Sequence, residues 1–205
     1  MRLGIEPGSC QDSYLVRTGS VALEFPTPRR HIVGFWYSNE LLPLSHLSVF
    51  PGTLLRATSD TELLKLRATA LDLLLAERPE LASAYLVCVA MFVRRLVLTN
   101  AILGTLGGKA RVASYIIARA AHAKAAADER GEIQIEHCRR DIADYLGLNA
   151  DTLDRIMAEL QREGILEMTG RHRIAVRAWD RLRALTPLSD ALVEPEDSDA
   201  SSRPA

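Results

Sequence analysis

From Arg139 to Ala158 the chain reads RRDIADYLGLNADTLDRIMA, a spacing that admits little besides two short helices joined by a tight turn. Ile142, Ala143 and Leu146 share one helical face, and Leu153, Ile156, Met157 and Leu160 share another. Between them Gly147 can enter the left-handed region without steric cost, and Ala143 is small enough for two helices to cross closely. Asn149 is a natural N-cap, and Asp151 falls in the next first turn, where the helix dipole favours an acid. The outward face then carries Ala150, Asp151, Asp154 and Arg155.

A unit of this kind lays its second helix in the major groove of DNA. Any α-hairpin with a glycine turn shares the pattern, so the next segment decides. Gly164-Ile165-Leu166, a turn around Thr169-Gly170, and Arg173 to Arg177 read as a basic hairpin, the wing of a winged helix. Arg171, His172, Arg173, Arg177, Arg181 and Arg183 cluster in and after it, whereas from Pro187 onward Pro, Ser and acidic residues read as a disordered tail.

Over 205 residues the net charge is −1, with 48% hydrophobic and 25% charged residues. This balance disfavours a protein that coats nucleic acid nonspecifically, while a sequence-specific reader needs only a local basic surface. The most apolar run, Leu81 to Val93, is shorter than a membrane span and is followed by Arg94 and Arg95, and Met1 to Gln11 lacks a signal peptide's apolar core. Cys10, Cys88 and Cys138 are odd in number and far apart, as expected in a reducing cytoplasm.

Ahead of the helices, Ser13–Arg17, Ser20–Phe25, His31–Phe35, Thr53–Thr58 and Glu62–Leu66 alternate like short strands between Gly, Pro and Asn signals, the pattern of a β-sandwich or jelly roll. A helical period begins at Ala68. Pro79 opens a long helix to about Leu106, with one apolar stripe through Leu81, Tyr85, Cys88, Phe92, Thr99, Ile102 and Leu106 and a second through Val89, Val93, Leu96 and Leu103. One stripe is expected to face the sensor-like domain and the other a twin helix. Gly104, Gly107 and Gly108 form a hinge before a further helix, Ala110 to Lys124.

The whole chain resembles the cyclic-AMP receptor protein/fumarate-nitrate regulator (Crp/Fnr) family of bacterial transcription factors. Glu6-Pro-Gly8, Asp12, Tyr14-Leu-Val16 and Gly19-Ser-Val21 resemble its early jelly-roll motif, Asn39 to Ser45 its G-D-L-L-G-L-S turn, and Arg139 to Leu166 its DNA-binding segment. The resemblance implies an α+β chain. Residues 1–75 would form a truncated cyclic-nucleotide-binding-like barrel, 76–124 the dimerisation helix and hinge, 125–186 the winged helix-turn-helix domain and 187–205 a disordered acidic tail. The family's barrel is usually preceded by a short helix and at least one strand, whereas this chain is expected to enter at about the second strand, so that either its start is assigned too late or the barrel lacks an edge.

Carried over by resemblance, Ala150, Asp151, Asp154 and Arg155 face the bases, with Arg155 offering its donor fork to guanine. Asp151 stands where the family has glutamate, and Asp154 where it has glycine or serine, so the family's half-sites do not transfer. Arg139, Asn149, Thr152, Thr169, Gly170 and Arg171 match phosphate-touching positions, which set register and affinity. The family's Gly-Glu and Arg-Ser pairs for a cyclic nucleotide align with Pro43-Leu44 and Pro51-Gly52, which leaves no cation for the phosphate and predicts no cyclic-AMP binding. Three scattered cysteines do not supply the four ligands of an iron-sulfur cluster, and haem, with His31, His46 or Cys10 as ligand, is disfavoured; no cofactor is expected. Cys138, next to Arg139, is a candidate redox switch.

The expected protein is a cytoplasmic homodimer that binds a near-palindromic DNA site, with RNA polymerase a further candidate partner and no membrane association. No catalytic constellation is legible, and Asp141, Asp144, Asp151 and Asp154 read as helix-surface acids. The competing reading is a ligand-sensing or protein-interaction member of the same fold that has lost DNA reading.

Overall fold

A computed structural model describes residues 2–4, 12–25, 27–46, 52–124, 132–170 and 172–193. The chain divides into two compact units, residues 1–101 with 136–149 and residues 102–135 with 150–205. The helices are α1 (Ala68–Glu77), α2 (Pro79–Thr105), α3 (Gly108–Lys124), α4 (Arg139–Tyr145), α5 (Ala150–Arg162), α6 (Trp179–Ala184) and α7 (Ser189–Leu192).

The first unit is built on strands β1 (Arg2–Gly4), β2 (Ser13–Thr18), β3 (Ser20–Phe25), β4 (His31–Tyr37), β5 (Leu41–Leu42), β6 (Leu54–Ala57) and β7 (Glu62–Leu66). They form two antiparallel sheets, ordered β1-β6-β3-β4 and β5-β2-β7. Tyr14, Val16, Val21, Leu23, Val33, Trp36, Leu42, Leu44 and Leu55 make one buried cluster, the apolar burial that drives the collapse of such sheets. Gly19, at φ +80°, makes the β2–β3 turn possible, because a Cβ there would lie 2.1 Å from the Asp60 carbonyl oxygen. Strands β2, β3, β4, β6 and β7 fall on the segments expected from alternation. A further strand precedes those expected: β1 pairs with β6 from Arg2 opposite Arg56 to Gly4 opposite Leu54. Three residues are too few for a period-two pattern to be visible.

Helix α2 is anchored in the first unit through Phe92, which joins the core cluster and stacks on Trp36 with ring centroids 5.5 Å apart. Arg95 donates to the Phe35 carbonyl at 2.8 Å and to Glu40 Oε1 at 2.5 Å, and its guanidinium lies over the Trp36 ring. Burial works against the charge of Arg95, but Glu40 beside it keeps the guanidinium firmly protonated. Tyr85, Phe92 and Thr99 of the expected first stripe are buried, whereas Leu81 is exposed. The second stripe differs from expectation, since Leu96 packs against the core. The exposed apolar face instead runs through Leu86, Ala90, Val93, Val97, Asn100 and Gly104, a regular four-three alternation. The apolar stretch is also longer than Leu81 to Val93, and α2 is long and apolar enough to cross a membrane by length and composition. The reason is that Arg94 and Arg95 sit inside the helix, which regains its apolar character from Leu96 onward.

In the second unit α3 is the spine. Its buried Val112, Ala113, Ile116 and Ile117 serve a core to which α5 brings Leu153, Ile156, Met157 and Leu160. Ser114 Oγ donates to Thr186 Oγ1 at 2.9 Å, which satisfies two buried hydroxyls. Strands β8 (Glu132–Gln134), β9 (Leu166–Gly170) and β10 (Arg173–Val176) form a sheet ordered β8-β10-β9. The tail expected to be disordered from Pro187 begins with structure: α7 packs on α3 and buries Leu192, because Leu188 and Leu192 give an otherwise polar segment an apolar anchor. Residues 194–205 lie outside the described residues.

Candidate nucleic-acid interface

The turn before α5 forms as its sequence requires. Leu146 donates to the Ile142 carbonyl and Leu148 to that of Ala143, both at 2.9 Å, and Gly147 takes φ +64°. A residue with a Cβ would be strained in that conformation. Helix α5 starts at Ala150. Its underside is the buried Leu153-Ile156-Met157-Leu160 stripe, and Asp151, Asp154, Arg155 and Ala158 are exposed at helical spacing on the other side. Ala150 and Thr152 are half-buried at its edge. Arg155 has no acid partner among the described residues, so its donors are available to a ligand.

The far end of α5 is clamped. Lys109 Nζ lies 2.7 Å from Glu159 and 2.6 Å from Glu163, and Arg181 donates to the Glu163 carbonyl at 2.7 Å. The hydrogen bond to Glu159, then that to Glu163, raises the Lys109 pKa, and the same ammonium lowers that of Glu159. Gly164, at φ +66°, turns the chain out of the helix into β9.

In the wing, Thr169 and Gly170 are exposed, but they end β9, and the turn falls beyond them, at His172. The strand extends that far because β9 pairs with β10 from Leu166 opposite Val176 to Gly170 opposite Arg173, with a bulge between Arg173 and Ile174. Arg171 lies outside the described residues. Part of the basic cluster is engaged from within: Arg177 pairs with Glu167 at 2.6 Å, Arg173 lies 3.8 Å from Glu132, Arg181 donates to the Glu163 carbonyl, and Arg183 lies over the Trp179 ring.

On the first unit, Asn149 is exposed and Arg139 half-buried. Cys138 is an exposed free thiol at the N-cap position of α4 and makes no side-chain capping bond. The acids of α4 are not surface acids. Asp141 is only 5% exposed and pairs with Arg30, just ahead of β4, and with Arg56 of β6, while half-buried Asp144 pairs with Arg30. Local pattern could not reveal this, because the partners, Arg30 and Arg56, are 111 and 85 residues away in sequence. Of the residues considered for haem, Cys10 and the side chain of His46 lie outside the described residues, and His31 is half-buried at the start of β4.

Residues 110–185 match the family model described as the Crp-like helix-turn-helix domain. Over 130 residues the chain is 27% identical to the nitrogen fixation regulation protein FixK of Azorhizobium caulinodans, an alignment that covers 63% of this chain and 52% of the relative. The chain thus spans about half the length of the curated relative it matches. The structure of FixK2 from Bradyrhizobium japonicum superposes with a TM-score of 0.79 at 24% identity, covering 91% of this chain and 92% of that one. A transcriptional regulator of the CRP family from Thermus thermophilus gives 0.69 at 17% identity, covering 90% and 92%.

Proposed function

We propose that this chain, whose residues 110–185 match the Crp-like helix-turn-helix domain and whose fold is that of FixK2, is a homodimeric, cytoplasmic, sequence-specific DNA-binding transcription regulator of the Crp/Fnr type. The observation that carries this reading is α5: an apolar underside seated on its own unit and an opposite face offering Asp151, Asp154 and Arg155. Arg155 reads guanine, Asp151 and Asp154 accept from base amino groups, and Ala150 contacts a base edge. Arg139, Asn149, Thr152, Thr169, Gly170 and Arg171 hold phosphates.

A second copy covers the exposed α2 face. Leu86, Ala90, Val93 and Val97 supply an apolar heptad seam, and Asn100 within it is the kind of polar residue that fixes register in paired helices. Arg95, tied to Glu40, and Phe92, in the sheet core, hold the other side of α2 to the first unit, which favours a helix partner over a lipid bilayer as the cover. Two recognition helices then meet half-sites one DNA turn apart.

The regulator works without cyclic AMP or an iron-sulfur cluster. Pro43 and Leu44 are buried where nucleotide-binding relatives would contact ribose, and Cys10, Cys88 and Cys138 are fewer than the four ligands of a cluster. Calorimetry with cyclic AMP tests the first point, where measurable heat of binding would overturn it. The exposed Cys138 beside Arg139 is proposed to make DNA binding peroxide-sensitive; sensitivity that persists in Cys138→Ser would remove that role. The decisive experiment is selection of bound fragments from a genomic DNA library at fixed salt, with Arg155→Ala alongside. A two-fold symmetric motif enriched by the wild type alone supports the reading, and no enrichment by either favours a member that has lost DNA reading.

A further inference from the structure

Five charged side chains form an alternating chain across the first unit: Glu24, Arg56, Asp141, Arg30 and Asp144. Arg56 Nε lies 2.5 Å from Glu24 Oε1, and its terminal nitrogen lies 2.9 Å from Asp141 Oδ1. Arg30 also donates to Asp141 Oδ1, reaches Asp144 Oδ2 through Nε at 2.7 Å, and lies 3.7 Å from Glu24. Glu24 is on β3, Arg56 on β6, and Arg30 just ahead of β4, so both arginines are carried by the β-unit. Asp141 and Asp144 belong to α4, the first helix of the helix-turn-helix.

Neighbouring contacts hold the same helix. Arg29 donates to the Leu148 carbonyl at 2.7 Å, at the turn that leads to Asn149. His137 stacks on Phe35 of β4, and the Tyr145 and Thr99 hydroxyls are 3.2 Å apart. Glu24 and Asp141 are almost wholly buried, at 4% and 5% exposed. Desolvating so many charges costs about as much as their pairing returns, so a cluster like this is a poor source of stability and a good way to fix one register. Helix α4 begins at Arg139 and its turn ends at Asn149, two of the positions proposed above to hold phosphates, so the register of α4 sets where those two residues sit within the first unit.

We infer that Arg30 and Arg56 are positioning residues for DNA reading: with Glu24 they hold α4 on the sensor-like sheet in the register that DNA binding requires. The inference rests on the DNA-reading function proposed above. None of the five is among the residues proposed to touch DNA, and Arg56 bridges Glu24 directly to Asp141.

The test uses the full chain and the site recovered by fragment selection, with DNA affinity measured by fluorescence anisotropy across a range of salt. The variants are Arg30→Met, Asp144→Asn, the pair combined, and Arg17→Met, which removes the same charge from the exposed Arg17–Glu62 pair of the same unit. Positioning predicts that each single variant of the cluster loses roughly tenfold in affinity. The combined variant then loses no more than the worse single, the salt slope is unchanged, and Arg17→Met binds like wild type. Unaltered affinity, additive losses, or equal loss in Arg17→Met overturns the inference. A salt slope shallower by about one in Arg30→Met overturns it too, because Arg30 would then be a phosphate contact. Circular dichroism melting checks the fold, and the near-isosteric Asp144→Asn carries the test if Arg30→Met unfolds. A wild type that selects a symmetric site while the cluster variants match it refutes the positioning role alone; a wild type that selects nothing refutes the DNA-reading function and the inference together.

Discussion

Phe35 and His137 stack with ring centroids 3.6 Å apart and planes 22° from parallel, joining the edge strand β4 to the segment just before α4. Both side chains are buried, at 5% and 2% exposed, and Phe35 also meets the Tyr145 ring at 5.4 Å. Phe35→Ala removes the ring that both rest on. A loss of about 3–5 kcal/mol in unfolding free energy is expected from denaturant titration, the usual cost of emptying a buried phenylalanine site. A loss below about 1 kcal/mol would mean that the segment carrying α4 is not held by this stack.

The acid limb of stability is set in part by Asp141. Burial works to raise its pKa, but the hydrogen bond from Arg30 and the charge of Arg56 outweigh it and hold the carboxyl below its ordinary 3.8. A depressed carboxylate contributes stability that is present above its unfolded value and is lost as pH falls through the folded one. Wild type should therefore lose stability relative to Asp141→Asn below about pH 4, where the unfolded chain takes up the proton first. Melting temperatures of the two proteins from neutral to acid pH check this; a constant gap throughout would contradict it.

Much of this fold is legible because it rests on local pattern. Alternation finds β2, β3, β4, β6 and β7, and the helical stripes find the buried sides of α4 and α5. Gly147 is identifiable from its place between two periodic segments, and its φ of +64° is what that place demands. Strands β1 and β5 are too short to carry a period and exist through pairing with β6 and β2. Asp141 misleads for a related reason. In sequence it reads as a helix-surface acid, and only the fold brings Arg30 and Arg56 to it. The α2 surface is half legible, since a helix with apolar residues on several sides does not say which side its own sheet will take.

The clamp on α5 gives a prediction about salt. Lys109 holds Glu159 and Glu163, all three side chains being about one-third exposed. Lys109→Met should loosen the last turns of α5 and speed amide exchange there at low ionic strength. At molar salt the difference from wild type should shrink, because exposed pairs are screened within a few ångströms. A difference that persists at molar salt would assign the effect to packing of the lysine stem.

The exposed α2 seam predicts a concentration-dependent assembly. Val97 is 61% and Leu86 66% exposed in the single chain. If a second copy covers them, wild type sediments as a dimer and its melting temperature rises with protein concentration. Val97→Glu would place like charges opposite each other across a two-fold seam, and should shift the protein to monomer while leaving the isolated fold intact by circular dichroism. A wild type that is monomeric at all concentrations would remove the dimer reading.

Arg155 and Arg171 separate reading from holding. Arg155→Ala removes a donor fork from the exposed face of α5, and should cost about 1–3 kcal/mol on the selected site by flattening preference at one base pair. Its effect on unrelated DNA should be slight. Arg171→Ala, at a phosphate-matching position, should weaken binding to all sequences alike and make the salt slope shallower by about one. Competition binding against a panel of single-base variants distinguishes the two. Because Arg173, Arg177 and Arg183 are engaged with Glu132, Glu167 and Trp179, alanine at those positions should alter the salt slope less than Arg171→Ala does. If Arg155→Ala weakened every sequence equally while Arg171→Ala erased the preference at one position, α5 would not be the reading helix, and the wing would be the element in contact with the bases.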